Sequence, residues 1–99
     1  MSALSLVSAR IEPSRQAEVT EAYRAMVETR LPPVIRETFL LVADDGTVAI
    51  ATLWNSREAL DEVRLGAEEP FARRVLREAG GDPEARFFDV VAEATADLR

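Results

Sequence analysis

The sequence predicts an α+β domain of order βαββαβ, the ferredoxin-like arrangement in which a four-stranded antiparallel sheet carries both helices on one face. Three observations lead there. A long segment with helical spacing of apolar residues ends at a double proline, two β-branched runs flank an Asp-Asp-Gly turn, and a proline-interrupted helical stretch precedes a last apolar run. At 99 residues the chain is read as one domain, 1–99, close to the usual size of an independently folding unit.

Residues 3–12 are short and partly alternating and stop at Pro13, which fits a first strand closed by a residue that cannot continue a ladder. Ser14 is the expected helix cap. Val19, Ala22, Tyr23, Met26 and Val27 then follow i, i+3, i+4, i+7 spacing, with Glu18, Glu21, Arg24 and Glu28 on the other faces, so a helix is expected from there to Leu31. Pro32-Pro33 terminates it.

Residues 35–43 and 47–54 are apolar, β-rich runs joined by Asp44-Asp45-Gly46, a hairpin in which Gly46 supplies a positive φ if the turn needs one. Asn55-Ser56 ends the second run, and Ser56 is placed to cap a helix with the stripe Leu60, Val63, Ala67. Pro70 interrupts that stripe. A further helical piece, with Phe71, Val75, Leu76 and Ala79 facing inward, runs to the Gly80-Gly81 stop, and residues 85–94 form the last expected strand.

The strands are apolar on both faces. Val48, Ile50 and Trp54 oppose Ala49, Ala51 and Leu53, Phe39 and Leu41 oppose Leu40 and Val42, and Phe88 and Val90 oppose Phe87 and Val91. Two helices cover only one face. The other calls for a partner, and a homodimer through sheet faces is the simplest closure.

Composition narrows the chemistry. The chain has no Cys and no His, and all twelve basic residues are Arg, which removes thiolate, Ser-His-Asp, Ser-Lys and Schiff-base catalysis and His-containing metal sites. No metal site is expected: the acidic pairs Asp44-Asp45 and Glu68-Glu69 fit a hairpin tip and a helix start. A net charge of −6 disfavours nucleic acid and anionic membranes. The N-terminus lacks a signal-peptide pattern and no apolar run reaches 18 residues, so a cytoplasmic protein is expected.

The stretch Ala51-Thr52-Leu53-Trp54-Asn55-Ser56-Arg57-Glu58-Ala59-Leu60 resembles the Trp-x-Ser-x-Glu-Ala-Leu signature of antibiotic biosynthesis monooxygenase-like domains, the dimeric α/β-barrel superfamily, and Pro70-Phe71 extends the likeness. The resemblance implies a dimeric α/β barrel and a cofactor-independent monooxygenase acting on small aromatic or polyketide-type substrates. Its haem-degrading branch uses an Asn, a Trp and a His where this chain aligns Val7, Val63 and Val75. Its polyketide branch has an Asn and a Tyr where Ile50 and Leu60 stand, while the signature Trp is kept as Trp54 and an Arg aligns with Arg74.

Substrate-binding candidates are therefore Trp54 for stacking, Phe71 beside it, Tyr23 and Asn55 as hydrogen-bond donors, and Arg74, with its neighbour Arg73, for an anionic oxygen. No cofactor is called for. The competing expectation is a non-catalytic small-molecule-binding or structural dimer module of the same fold.

Overall fold

A computed structural model describes residues 1–29 and 31–96. Its elements are β1 (Ala3–Arg10), a 3₁₀ turn (Pro13–Arg15), α1 (Gln16–Thr29), β2 (Ile35–Val42), β3 (Thr47–Trp54), α2 (Arg57–Arg64), α3 (Phe71–Glu78) and β4 (Glu84–Asp89). The strands form one antiparallel sheet of order β2-β3-β1-β4, as the βαββαβ reading requires.

Local chemistry accounts for the joints. In the hairpin, Gly46 takes φ 90° and the Thr47 amide donates to Asp45 Oδ1 at 2.9 Å, a side-chain turn that holds the bend. Ser56 caps α2, its Oγ accepting from the Ala59 amide at 3.1 Å. Pro70 directly precedes α3, and Gly80, at φ 91°, turns the chain away from its end.

Several boundaries differ from the sequence expectation, among them the ends of β1 at Arg10 and β2 at Val42, two residues and one residue early. Pro13 starts a 3₁₀ turn, so the α-helix begins at Gln16 and Ser14 lies inside the turn instead of capping it. The C-terminal end expected at Leu31 falls beyond Thr29, with residue 30 outside the described residues. Helix α2 ends at Arg64, leaving Ala67 exposed in the connection to α3. Strand β4 ends at Asp89, since β1 offers pairing only from Ala3 onward; one further bond, from the Val90 amide to the Ser2 carbonyl, closes the ladder.

One sheet face takes the helices. Val7, Ala9, Ile11, Val19, Val48, Val75, Leu76 and Ala79 form the larger buried cluster, under α1 and α3. Ala3, Trp54, Ala59 and Leu60 form a second one under α2. Arg15 ties the ends of two helices together: it pairs with Glu18 and donates to the Glu78 carbonyl at 2.9 Å.

The opposite face carries three cross-strand rows. They read Glu37–Leu53–Leu4–Phe88, Phe39–Ala51–Leu6–Arg86 and Leu41–Ala49–Ser8–Glu84 from β2 to β4. Apart from Ser8, apolar side chains fill the two middle strands, and the charges sit on the two edge strands. Phe39 and Leu41 are each about half exposed in the single chain.

Acid should weaken this fold through a few carboxylates. Asp61 is held below the usual carboxylate range by a hydrogen bond from Arg64, Glu69 by one from Arg77, and Asp45 by the Thr47 amide. A carboxyl whose pKa is lower folded than unfolded adds stability above its unfolded pKa of about 4, lost as pH falls through the folded value. With no His or Cys, no side chain has an ordinary pKa between pH 5 and 8. The melting temperature measured against pH should be flat across that interval and decline below about pH 4. A step near pH 6.5 would contradict this.

Candidate binding cavity

Between the sheet and the helices lies a cavity of about 560 Å³. Its floor comes from the helix-facing residues of the sheet: Ser5 and Val7 on β1, Ile50, Thr52 and Trp54 on β3, Thr38 on β2, and Ala85 and Phe87 on β4. Leu60 and Val63 of α2 and Phe71 and Ala72 of α3 close it from the helix layer. Alternation along β1 and β3 places these residues here: Ser5, Val7 and Ala9 turn inward, opposite Thr52, Ile50 and Val48. The space exists because α2 and α3 are each eight residues long and the chain between them, Leu65 to Pro70, is not helical.

Three of the candidate residues line the cavity, Trp54, Phe71 and Arg73. The Trp54 indole is buried, and its Nε1 donates to Ser5 Oγ at 3.0 Å. The other three lie outside the lining. Asn55 donates its amide to the Pro33 carbonyl at 3.0 Å, while the Asn55 backbone amide donates to the Val34 carbonyl, so it fastens the segment before β2 to the end of β3. Tyr23 is half-buried on α1. Arg74 points toward solvent, 3.8 Å from Glu78, with its guanidinium over the Phe71 ring at 5.6 Å, so it reaches the site only through Phe71.

The cations on the lining are Arg64 and Arg73. Arg64 hydrogen bonds Asp61 at 2.8 Å and stacks over Phe87 at 4.9 Å. Arg73 donates to the Pro83 carbonyl at 3.3 Å and is in no ion pair among the described residues. Among the described residues no carboxylate lines the cavity. The remaining polar lining groups are the hydroxyls of Ser5, Thr38 and Thr52, those of Thr38 and Thr52 being 3.3 Å apart.

Ser5 and Thr38 were not singled out from the sequence. Ser5 sits between Leu4 and Leu6, where simple alternation would turn the leucines inward; the companion signal was the Val7–Ala9 parity, which matches the inward face. Among the described residues no group of three or more His, Cys, Asp or Glu could hold a metal, and no helix is long and apolar enough to cross a membrane.

No protein-family model and no curated protein matches the sequence. Solved structures do match in shape. A Streptomyces coelicolor monooxygenase, ActVA-Orf6, solved with the ligand nanaomycin D, superposes with a TM-score of 0.70 at 20% identity, over 97% of this chain and 93% of that one. A cofactor-independent oxygenase from Streptomyces nogalater, SnoaB, gives 0.66 at 12% identity over 93% and 95%. A Mycobacterium tuberculosis protein gives 0.69 at 19% over 96% and 100%. This chain shares its fold with these oxygenases and with antibiotic biosynthesis monooxygenase-like proteins of known structure, the fold expected from the resemblance at Trp54 to Leu60.

Proposed function

We propose that the cavity binds a flat aromatic anion and that the chain, as a homodimer, acts on it as a cofactor-free monooxygenase. The observation that carries this reading is the charge of the lining. In a chain of net charge −6, the ionisable groups on the described lining of this largely apolar cavity are both arginines. A guanidinium in such surroundings favours the ionised form of a phenol or enol and so lowers the pKa of the ligand. Trp54, Phe71 and Phe87 supply aromatic surfaces for a ring system.

The electron-rich anion is the reductant. For an anthrone-type ring carbon bearing two hydrogens, one oxygen atom of O₂ becomes the new carbonyl and the other leaves as water with those hydrogens. The substrate supplies all four electrons. The role of the chain is to stabilise the anion and exclude bulk water, since among the described residues the lining offers no carboxylate or imidazole to act as a general base.

Oxygen-electrode assays with anthrone-like and dihydroxyaromatic substrates, without added flavin, haem or metal, test the reading directly. Oxygen uptake is expected, and Arg73→Ala should lower affinity for an anionic aromatic about tenfold, with the difference shrinking at high salt. Saturable binding without oxygen uptake would favour the second reading, a non-catalytic binding module, to which the missing general base also points.

The open sheet face supports the homodimer, with a mainly apolar centre and charges at its edges, the usual layout of a protein interface. Light scattering should report twice 10.9 kDa for the parent chain. Phe39→Glu, which replaces the half-exposed aromatic of the middle row on edge strand β2 by a charge, should shift the particle to a single chain at micromolar concentration. A parent already monomeric there would remove the dimer from the proposal.

A further inference from the structure

The floor of the cavity carries more hydroxyl protons than its own hydrogen bonds use. Ser5 pairs in register with Thr52, and Thr52 with Thr38, so three hydroxyls stand in one row across β1, β3 and β2, all lining the cavity. Each hydroxyl has one proton to donate, whereas an indole N–H donates only. Trp54 Nε1 donates to Ser5 Oγ, which fixes Ser5 as the acceptor in that bond and leaves its own proton unused. Between Thr38 and Thr52, one proton is used in their mutual bond and one is left.

Ser5 and Thr52 are each only 7% exposed, so bulk water does not solvate them freely. One buried donor, on Ser5, thus remains on the sheet wall with no acceptor among the described residues, together with a second proton on either buried Thr52 or half-buried Thr38. Buried donors are normally satisfied, and a site that leaves them open favours a ligand that completes them. The cations, by contrast, belong to the helix layer, Arg64 at the end of α2 and Arg73 on α3.

Resting on the reading of the cavity as a ligand site, we infer that the Ser5–Thr52–Thr38 row is a donor subsite that selects a ring carbonyl oxygen, with Ser5 set as donor by Trp54. The ligand class this defines is an aromatic ketone or quinone carrying an anionic group elsewhere on the ring system, its carbonyl toward the sheet and its anion toward the helices.

Two probes of equal ring size separate this from the cavity reading itself: 9,10-anthraquinone-2-sulfonate and anthracene-2-sulfonate, titrated into the full chain by calorimetry. Trp54 is the sole tryptophan, so its fluorescence gives an independent titration. The anthraquinone should bind about tenfold more tightly, the worth of one or two added hydrogen bonds. Ser5→Ala should abolish most of that preference while changing anthracene-2-sulfonate affinity by less than about twofold.

Because Ser5→Ala also leaves the Trp54 N–H without its partner, two further variants accompany it, with melting temperatures as a check on folding. Ser5→Cys keeps an acceptor for the indole but is a weak donor, and should lose the preference. Ser5→Thr restores a hydroxyl and should regain it. Equal affinity of the parent for both probes, or a preference that survives Ser5→Ala and Ser5→Cys, would overturn the donor subsite and leave the cavity reading standing. If neither probe binds the parent, the cavity reading fails and the subsite with it.

Discussion

Leu76→Ala should lower the melting temperature by about 10–20 °C. Leu76 is fully buried on the inner face of α3, in the cluster that includes Val7, Ile11, Val19 and Val48, and its carbonyl accepts the Gly81 amide at 2.9 Å. Truncating a buried leucine costs about 2–5 kcal/mol, the lost transfer energy plus the cavity left behind. In a domain of this size about 1 kcal/mol moves the midpoint by roughly 4–8 °C. Collapse into the gap is restricted, because an added Cβ at neighbouring Gly81 would already lie 2.8 Å from the Ala9 Cβ and 3.0 Å from the Leu76 carbonyl oxygen. The matched control is Leu65→Ala, at a leucine 72% exposed, where a change of only about 0.5 kcal/mol is expected. Equal shifts in calorimetric scans of the two variants would show that α3 is not docked as described.

Ala72→Trp should abolish probe binding while leaving the chain folded. Ala72 is partly buried, packs beside the larger cluster and lines the cavity from α3. An indole there has space to enter, so it competes with any ligand for the same volume instead of straining a filled core. Anthraquinone-2-sulfonate affinity by calorimetry should fall about a hundredfold, the scale expected when a ring loses its enclosing pocket. The melting temperature should hold or rise. Affinity within twofold of the parent would mean that the probe binds elsewhere.

Much of the fold was legible because its joints carry specific chemistry. Asp45 and Gly46 make the hairpin turn, Ser56 caps α2, Pro70 precedes α3, and Gly80 adopts the positive φ that ends it. The β-strand runs between those joints left one economical topology. Boundaries set by tertiary partners were less legible: β4 stops where β1 stops offering pairs, and the 3₁₀ turn at Pro13 displaces the start of α1.

The site was legible only in part, for a geometric reason. Adjacent helical residues point about 100° apart, and of the expected pair Arg73 and Arg74 only Arg73 lines the cavity, while the family position falls on Arg74, on the solvent side of α3. Trp54 and Phe71 were found because large aromatic residues beside a strand end and a helix start have few places to go. Ser5 was missed because a small polar residue between two leucines reads as the outward face of a strand. Its inward placement depends on both sheet faces being apolar, which removes the contrast that alternation needs.

The apolar interior is divided, one cluster under α1 and α3 and a smaller one under α2, with the cavity bordered by members of both. A ring system seated there would act as the missing keystone, touching Val7 on one side and Leu60 on the other. Amide hydrogen exchange in the empty chain should then show α2 exchanging through its own low-energy opening, ahead of α3, and occupancy should merge the two rates into a single cooperative event.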